Sequence, residues 1–109
     1  MDAVPIRPYF KAVTDNTVHQ VLAANARVRH ILWHNDDGAA RFMQIFRRLA
    51  ADVVLGTTVP DLVIQLGADA TDVFPFGDTL ISPFSFAITT TRGGSTAGTA
   101  SDVMIALWS

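Results

Sequence analysis

VRHILWHNDDGAARFMQIFRRL, residues 28–49, decides how this chain is read: two apolar-rich runs separated by Asn35-Asp36-Asp37-Gly38. Glycine adopts positive φ without a Cβ clash, and Asn and Asp side chains bond their own backbone, so the middle of the stretch is a turn. Two apolar runs around such a turn predict a β-hairpin, the centre of a small all-β domain. The first run sets Val28, His30, Leu32 and His34 on one strand face and Arg29, Ile31 and Trp33 on the other. In the second, Phe42, Gln44, Phe46 and Arg48 oppose Arg41, Met43, Ile45 and Arg47. Phe42, Ile45, Phe46 and Leu49 also fall at helical spacing, so a helix is the rival reading there. The turn and the β-rich surroundings favour strand.

Working outward, prolines 5 and 8 remove backbone donors and bias the residues before them to extended conformations, so residues 1–8 read as an extended arm. Residues 9–109 read as one β domain. Short strands are expected over 9–13 and 17–23, the second with helix as its competitor over 18–27. Residues 50–60, with Gly56-Thr57-Thr58 and Pro60, form a long irregular connection. A core strand follows over 61–66, then a turn over 67–72 and a short strand over 73–76 interrupted by Pro75. Residues 84–90 alternate Phe84, Phe86 and Ile88 against Ser85, Ala87 and Thr89, the clearest half-buried strand. TRGGSTAGTAS, 91–101, is a neutral loop, either a free tip or a contact loop. The last strand, 102–108, turns Val103, Ile105 and Leu107 inward. About eight short antiparallel strands at this spacing predict a β-sandwich or jelly-roll-like barrel.

The 109 residues make one domain, long enough to bury roughly two-thirds of the surface of its unfolded chain. Half the residues are hydrophobic and 17% are charged, which leaves few charges to cover the surface and points to apolar area buried against other subunits. The net charge of -2 with no basic block gives no general attraction to nucleic acid or anionic membrane. There is no cysteine, which removes disulfides, thiol nucleophiles and cysteine-bound zinc. The N-terminal residues lack the layout of a secretory signal, and no apolar run approaches a membrane span, so synthesis and assembly in the cytoplasm are expected.

Chemistry-bearing residues are sparse. His19, His30 and His34 are the only histidines, and His30 and His34 share a strand face. A zinc site needs further ligands that the spacing does not supply, so hydrogen-bonded or interface histidines are the simpler reading. Asp36 and Asp37 lack the acidic spacing of a calcium loop and read as turn formers. No GxSxG elbow is present, and TRGGSTAG lacks the lysine of a phosphate loop. No enzyme, cofactor or metal is therefore expected. Arg27, Arg29, Arg41, Arg47 and Arg48 make the hairpin the most basic part of the chain; solvated charge at strand ends is one reading and intersubunit contact the other. Trp33 and Trp108, on the less regular faces of their strands, are candidate interface anchors.

The order VRHILWHNDDGAARFMQIF, VLGTTVPDLVIQL, FPFGDTLISPFSFAITT, DVMIALW resembles a group of small tailed-bacteriophage virion proteins, whose pattern runs I-x-V-x-N, small residues, R-[FY]-[LM]-x-[LI]-[FY], then G-T-x-x-P, then a strand ending in T-T. The resemblance covers residue 28 to the C-terminus, and its motifs are structural rather than catalytic. It implies an all-β virion component: a decoration (cement) protein on the capsid surface bound to the major capsid protein, commonly as a homotrimer, or else a tail, neck or fibre-associated protein. On that reading the subunit or capsid interface is expected at Pro5, Arg7, Tyr9, Trp33, Arg41, Met43, Arg47 and Trp108. A glycan-binding module using Trp33, Trp108 or Tyr9 is the alternative from another class.

Overall fold

The computed structural model describes residues 6–13, 17–22, 27–80, 83–96 and 101–108. These form eight strands: β1 (Ile6–Val13), β2 (His19–Leu22), β3 (Arg27–Asn35), β4 (Arg41–Phe46), β5 (Leu62–Leu66), β6 (Ala70–Leu80), β7 (Phe84–Thr89) and β8 (Ser101–Trp108). All pairings are antiparallel: β1 with β8, β2 with β7, β3 with β6, β4 with β5. Lateral pairs β3·β8 and β4·β7 join these ladders into two four-stranded sheets, β1-β8-β3-β6 and β2-β7-β4-β5. The first strand thus meets the last, the second the seventh, and so on inward. This is one long hairpin of strands rolled over on itself, the jelly-roll arrangement of the β-sandwich.

The expected hairpin over residues 28–49 does not form. β3 and β4 lie in different sheets, and Asn35-Asp36-Asp37-Gly38 carries the chain from one to the other. The turn is real, but its partners are not each other. Asn35, fully buried, takes its bonds across the corner: its amide donates to the carbonyls of Ala39 (3.0 Å) and Gly67 (2.9 Å), and its Oδ1 accepts from the Asp37 amide (3.1 Å). Arg41 Nε donates to Asp37 Oδ2 at 2.9 Å, and the Asp69 amide bonds the Asp37 carbonyl. These contacts tie the β3–β4 crossover to the β5–β6 turn.

The faces of β3 also differ from simple alternation. Between Val28 and His30 the chain advances two residues while β8 advances one, from Leu107 to Ala106, so Arg29 is a bulge. On the other side β6 runs from Thr79 to Pro75 over the same step, and Gly77 supplies the positive φ of 59° there. The bulge flips the parity, so Val28, Ile31, Trp33 and Asn35 face inward while His30, Leu32 and His34 face out. Trp33 is wholly enclosed and its indole N–H donates to Ser101 Oγ at 3.1 Å.

Between the sheets, Val28, Ile31, Trp33, Val103 and Ile105 meet Met43, Ile45, Phe84, Phe86 and Ile88. Residues 84–89 form a strand as expected, but both its faces are buried. Helix gives way to strand over 19–22 and 41–46, and only a single 3-10 turn, Ala50–Asp52, interrupts the long connection after β4. Residues 6–8, read as part of an arm, already pair with β8; residues 1–5 lie outside the described residues. β6 runs through Pro75 rather than stopping at it. Pro8 and Pro75 sit on β1 and β6, the two edges of one sheet, where a missing N–H breaks no interior ladder.

The corner at Asn35 generates a test. Asn35→Ala removes the side-chain partner of the buried Asp37 amide and of the part-buried Ala39 and Gly67 carbonyls, so urea unfolding should show a loss of at least about 2 kcal/mol; a loss under about 0.5 kcal/mol would show that the crossover is held by other contacts.

Candidate functional site

The two sheets treat their outer faces differently. On the β2-β7-β4-β5 sheet, Gln44, Phe46, Ser85, Ala87 and Thr89 point away from the core between the sheets, yet all are buried. The chain roofs them with its own connections. Ser85 Oγ donates to the Arg48 carbonyl at 2.9 Å, the Ala50 amide to Gln20 Oε1 at 2.6 Å, and Gln44 Nε2 to Thr89 Oγ1 (2.8 Å) and the Gly94 carbonyl (2.9 Å). The Arg92 guanidinium lies 5.7 Å from the centre of the Phe42 ring, and the turn at Gly56 lies close to Ser95. Residues 47–61 and 90–96 together close that face.

No described residue closes the other. Across the outside of β1-β8-β3-β6 the register sets Phe10 beside Met104, Met104 beside Leu32, and Leu32 beside Val73, an apolar row spanning all four strands. Ala12, Asp102, His34 and Thr71 form the row on one side; Pro8, Ala106, His30 and Pro75 occupy the register positions on the other. Phe10 is 69% exposed and Val73 49%. A depression of about 390 Å³ lies over this face, lined by Phe10, Leu32, Met104, Ala12, His34, Thr71 and Asp102. His34 Nδ1 is 2.5 Å from Thr71 Oγ1, and its Nε2 is 3.8 Å from Asp36 Oδ1.

The residues expected at an interface are scattered by the fold. Trp33 and Met43 are fully buried in the chain's own core, so neither side chain can anchor a partner. The reason is parity: the Arg29 bulge turns Trp33 inward, and Met43 lies on the inner face of β4. Arg41 is clipped to Asp37 and to the Ala40 carbonyl. Arg47 is exposed, and its backbone amide donates to Asp61 Oδ2 at 2.7 Å. Tyr9 is half-buried, edge-on to Phe86 at 6.0 Å. Its burial raises the phenol above its ordinary value of 10. The folded chain therefore favours the neutral ring, a contribution present below pH 10 and lost as pH rises past it. Arg7 and Trp108 are placed by backbone register alone, opposite Leu107 and Ile6, and Pro5 lies outside the described residues. Of the aromatics considered for a glycan platform, Trp33 is therefore withdrawn. The row of Phe10, Met104, Leu32 and Val73, exposed at its two ends and half-buried between them, has no counterpart in the sequence reading. Its signal was present as apolar residues on the wrong parity of strands 1, 3 and 8, but strand adjacency was needed to join them.

Among the described residues no group of three or more His, Asp or Glu could hold a metal ion, and no helix is long and apolar enough to cross a membrane. The face can bury apolar surface; its polar rows offer one imidazole–hydroxyl pair and one carboxylate. Comparison with protein-family models, curated proteins and solved structures returned no match.

The asymmetry of the two outer faces can be measured directly. Phe46→Ala, under the roof, should cost about 3–5 kcal/mol in chemical denaturation, whereas Phe10→Ser should cost less than about 1 kcal/mol. Equal losses at nanomolar protein, where single chains prevail, would mean that the chain's own residues cover β1's outer face.

Proposed function

We propose that this chain is a non-enzymatic structural protein of a bacteriophage virion: a capsid decoration protein, assembled from the host cytoplasm, that binds the major capsid protein lattice and stabilises the head. One observation supports the contact-making part of this reading. The body roofs one outer face with some twenty residues of its own, while the described residues leave the other face apolar and open, and an apolar face of this kind adds contact area when it meets another protein. The virion assignment rests on the sequence resemblance over residues 28–109.

A second exposed apolar region supports a lattice contact. The β4–β5 connection carries Val54, 61% exposed, and Val59, 81% exposed, with Leu49 and Leu62 at its ends. We assign this connection to the capsid protein. A cement protein needs no more than such surfaces, because it strengthens a shell by bridging neighbouring subunits.

Quantitative mass spectrometry of purified virions tests the assignment: copy numbers in the hundreds are expected, and a dozen or fewer would move the protein to the neck, tail or fibre. Val54→Asp with Val59→Asp should leave the melting temperature nearly unchanged and reduce retention on capsids at least tenfold, about the effect of losing 1.4 kcal/mol of contact. Undiminished retention would place the lattice contact elsewhere.

A further inference from the structure

We propose that the open face of the β1-β8-β3-β6 sheet is covered by the same face of a second copy of this chain, related by a twofold axis that runs parallel to the strands between β8 and β3. The inference goes beyond the virion reading and does not depend on it.

Strand register fixes which residues such an axis brings together. A twofold axis in that position carries β8 onto β3 and β1 onto β6 without shifting along the strands. Because Phe10, Met104, Leu32 and Val73 share one row, Met104 then faces Leu32 of the partner copy and Phe10 faces Val73 of the partner copy. Apolar atoms meet apolar atoms along the whole row. In the neighbouring row the same operation sets Asp102, which is exposed, against His34 of the partner copy, and Ala12 against Thr71 of the partner copy. In that row the carboxylate meets an imidazole, twice over by symmetry, while in the third row His30 lies over Ala106 of the partner copy and Pro8 over Pro75 of the partner copy. The other in-plane axis, perpendicular to the strands, would instead place His34 over His30 and Asp102 over Ala106, stacking imidazoles and burying a carboxylate against a methyl group.

The area agrees. Four strands spaced about 4.8 Å apart, and about 3.3 Å per residue over the eight residues of β8, present a face of roughly 500 Å² per copy. Two such faces bury about 1,000 Å², the lower limit of a specific interface, so the pair should be reversible at micromolar concentration. Twisted sheets pack face to face about 10 Å apart, close enough for Met104 and Leu32 to interdigitate. A closed trimer, the arrangement implied by the resemblance, would instead turn three faces to one axis and give up the Met104–Leu32 and Asp102–His34 matches.

The full chain lacks cysteine, which makes disulfide trapping specific. Sedimentation equilibrium of the wild type at micromolar concentration should give twice the 11.8 kDa chain mass, and either Leu32→Asp or Val73→Asp should weaken the dimer at least tenfold while the circular dichroism melt stays cooperative. Leu32→Cys and Met104→Cys, oxidised as a mixture, should cross-link to each other faster than either does alone. A monomeric or trimeric wild type, a dimer unaffected by both aspartates, or faster self-cross-linking of either cysteine variant would each overturn the proposal. A monomer that nevertheless coats virions in hundreds of copies would overturn only the pairing; a dimer absent from virions would overturn only the virion reading.

Discussion

Strand β8 sits between β1 and β3, and the sheet that carries the open face does not exist until it is in place. Nothing local holds that sheet together. Its ladders join residues 6–13 to 101–108, and 27–35 to both 70–80 and 101–108, so the chain closes loops of very different length before any of its core is sealed. Trp33 marks the junction. Its ring fills the core from β3 while its N–H reaches Ser101 at the start of β8, so the bulkiest side chain of the interior is bonded to the strand that completes the sheet. The apolar row on the outside is a consequence of the same pairing, since Met104 is what connects Phe10 to Leu32.

The division of labour between the faces follows from the connections. In a jelly roll nearly every link crosses from one sheet to the other; here only β4 and β5 are sequence neighbours within one sheet, and the link between them is long. That slack lets residues 47–61 fold back over the sheet they leave. Two of the crossover links have no such freedom: the β3–β4 corner is drawn tight by Asn35 and by the Arg41–Asp37 pair, and the β5–β6 turn has only three residues, whereas the longer β7–β8 crossover adds residues 90–96 to the roof. The long links roof one sheet, and none of the described residues covers the opposite face.

Much of this was legible in the residues. Strand positions other than the extent of β6, which reads as 73–76 after a turn over 67–72 but runs from Ala70 to Leu80, together with the irregular stretch after β4, the inward set Val103 and Ile105, and the all-β sandwich class, follow from period-two alternation and turn chemistry, which are local. Partnership was not, because Asn-Asp-Asp-Gly suits a hairpin turn and a sheet-to-sheet corner equally; what distinguishes them is where the Asn35 amide finds its acceptors, and Gly67 lies 32 residues away. The same limit hid the site. A bulge at Arg29 reverses which half of β3 faces in, so Trp33 reads as a surface anchor when it is core, and Leu32 reads as one of several apolar side chains when it is the middle of a surface row. Phe10 and Val73 could be found only once β1 and β6 were known to flank β8 and β3.

An apolar sheet surface in contact with water invites indiscriminate association, and strand edges are its usual route. This sheet interrupts that route. Both of its edge strands carry a proline, Pro8 on β1 and Pro75 on β6, a residue that lacks the N–H donor and is suited to sheet edges. The other sheet is guarded differently, with edge strands of only four and five residues. With the edges blunted and one face roofed, the outer face of β1-β8-β3-β6 is the broad apolar surface that the described residues leave open to another protein. Association is thereby confined to packing of side chains in a fixed row, which selects a register, rather than to backbone ladders, which would accept almost any extended chain.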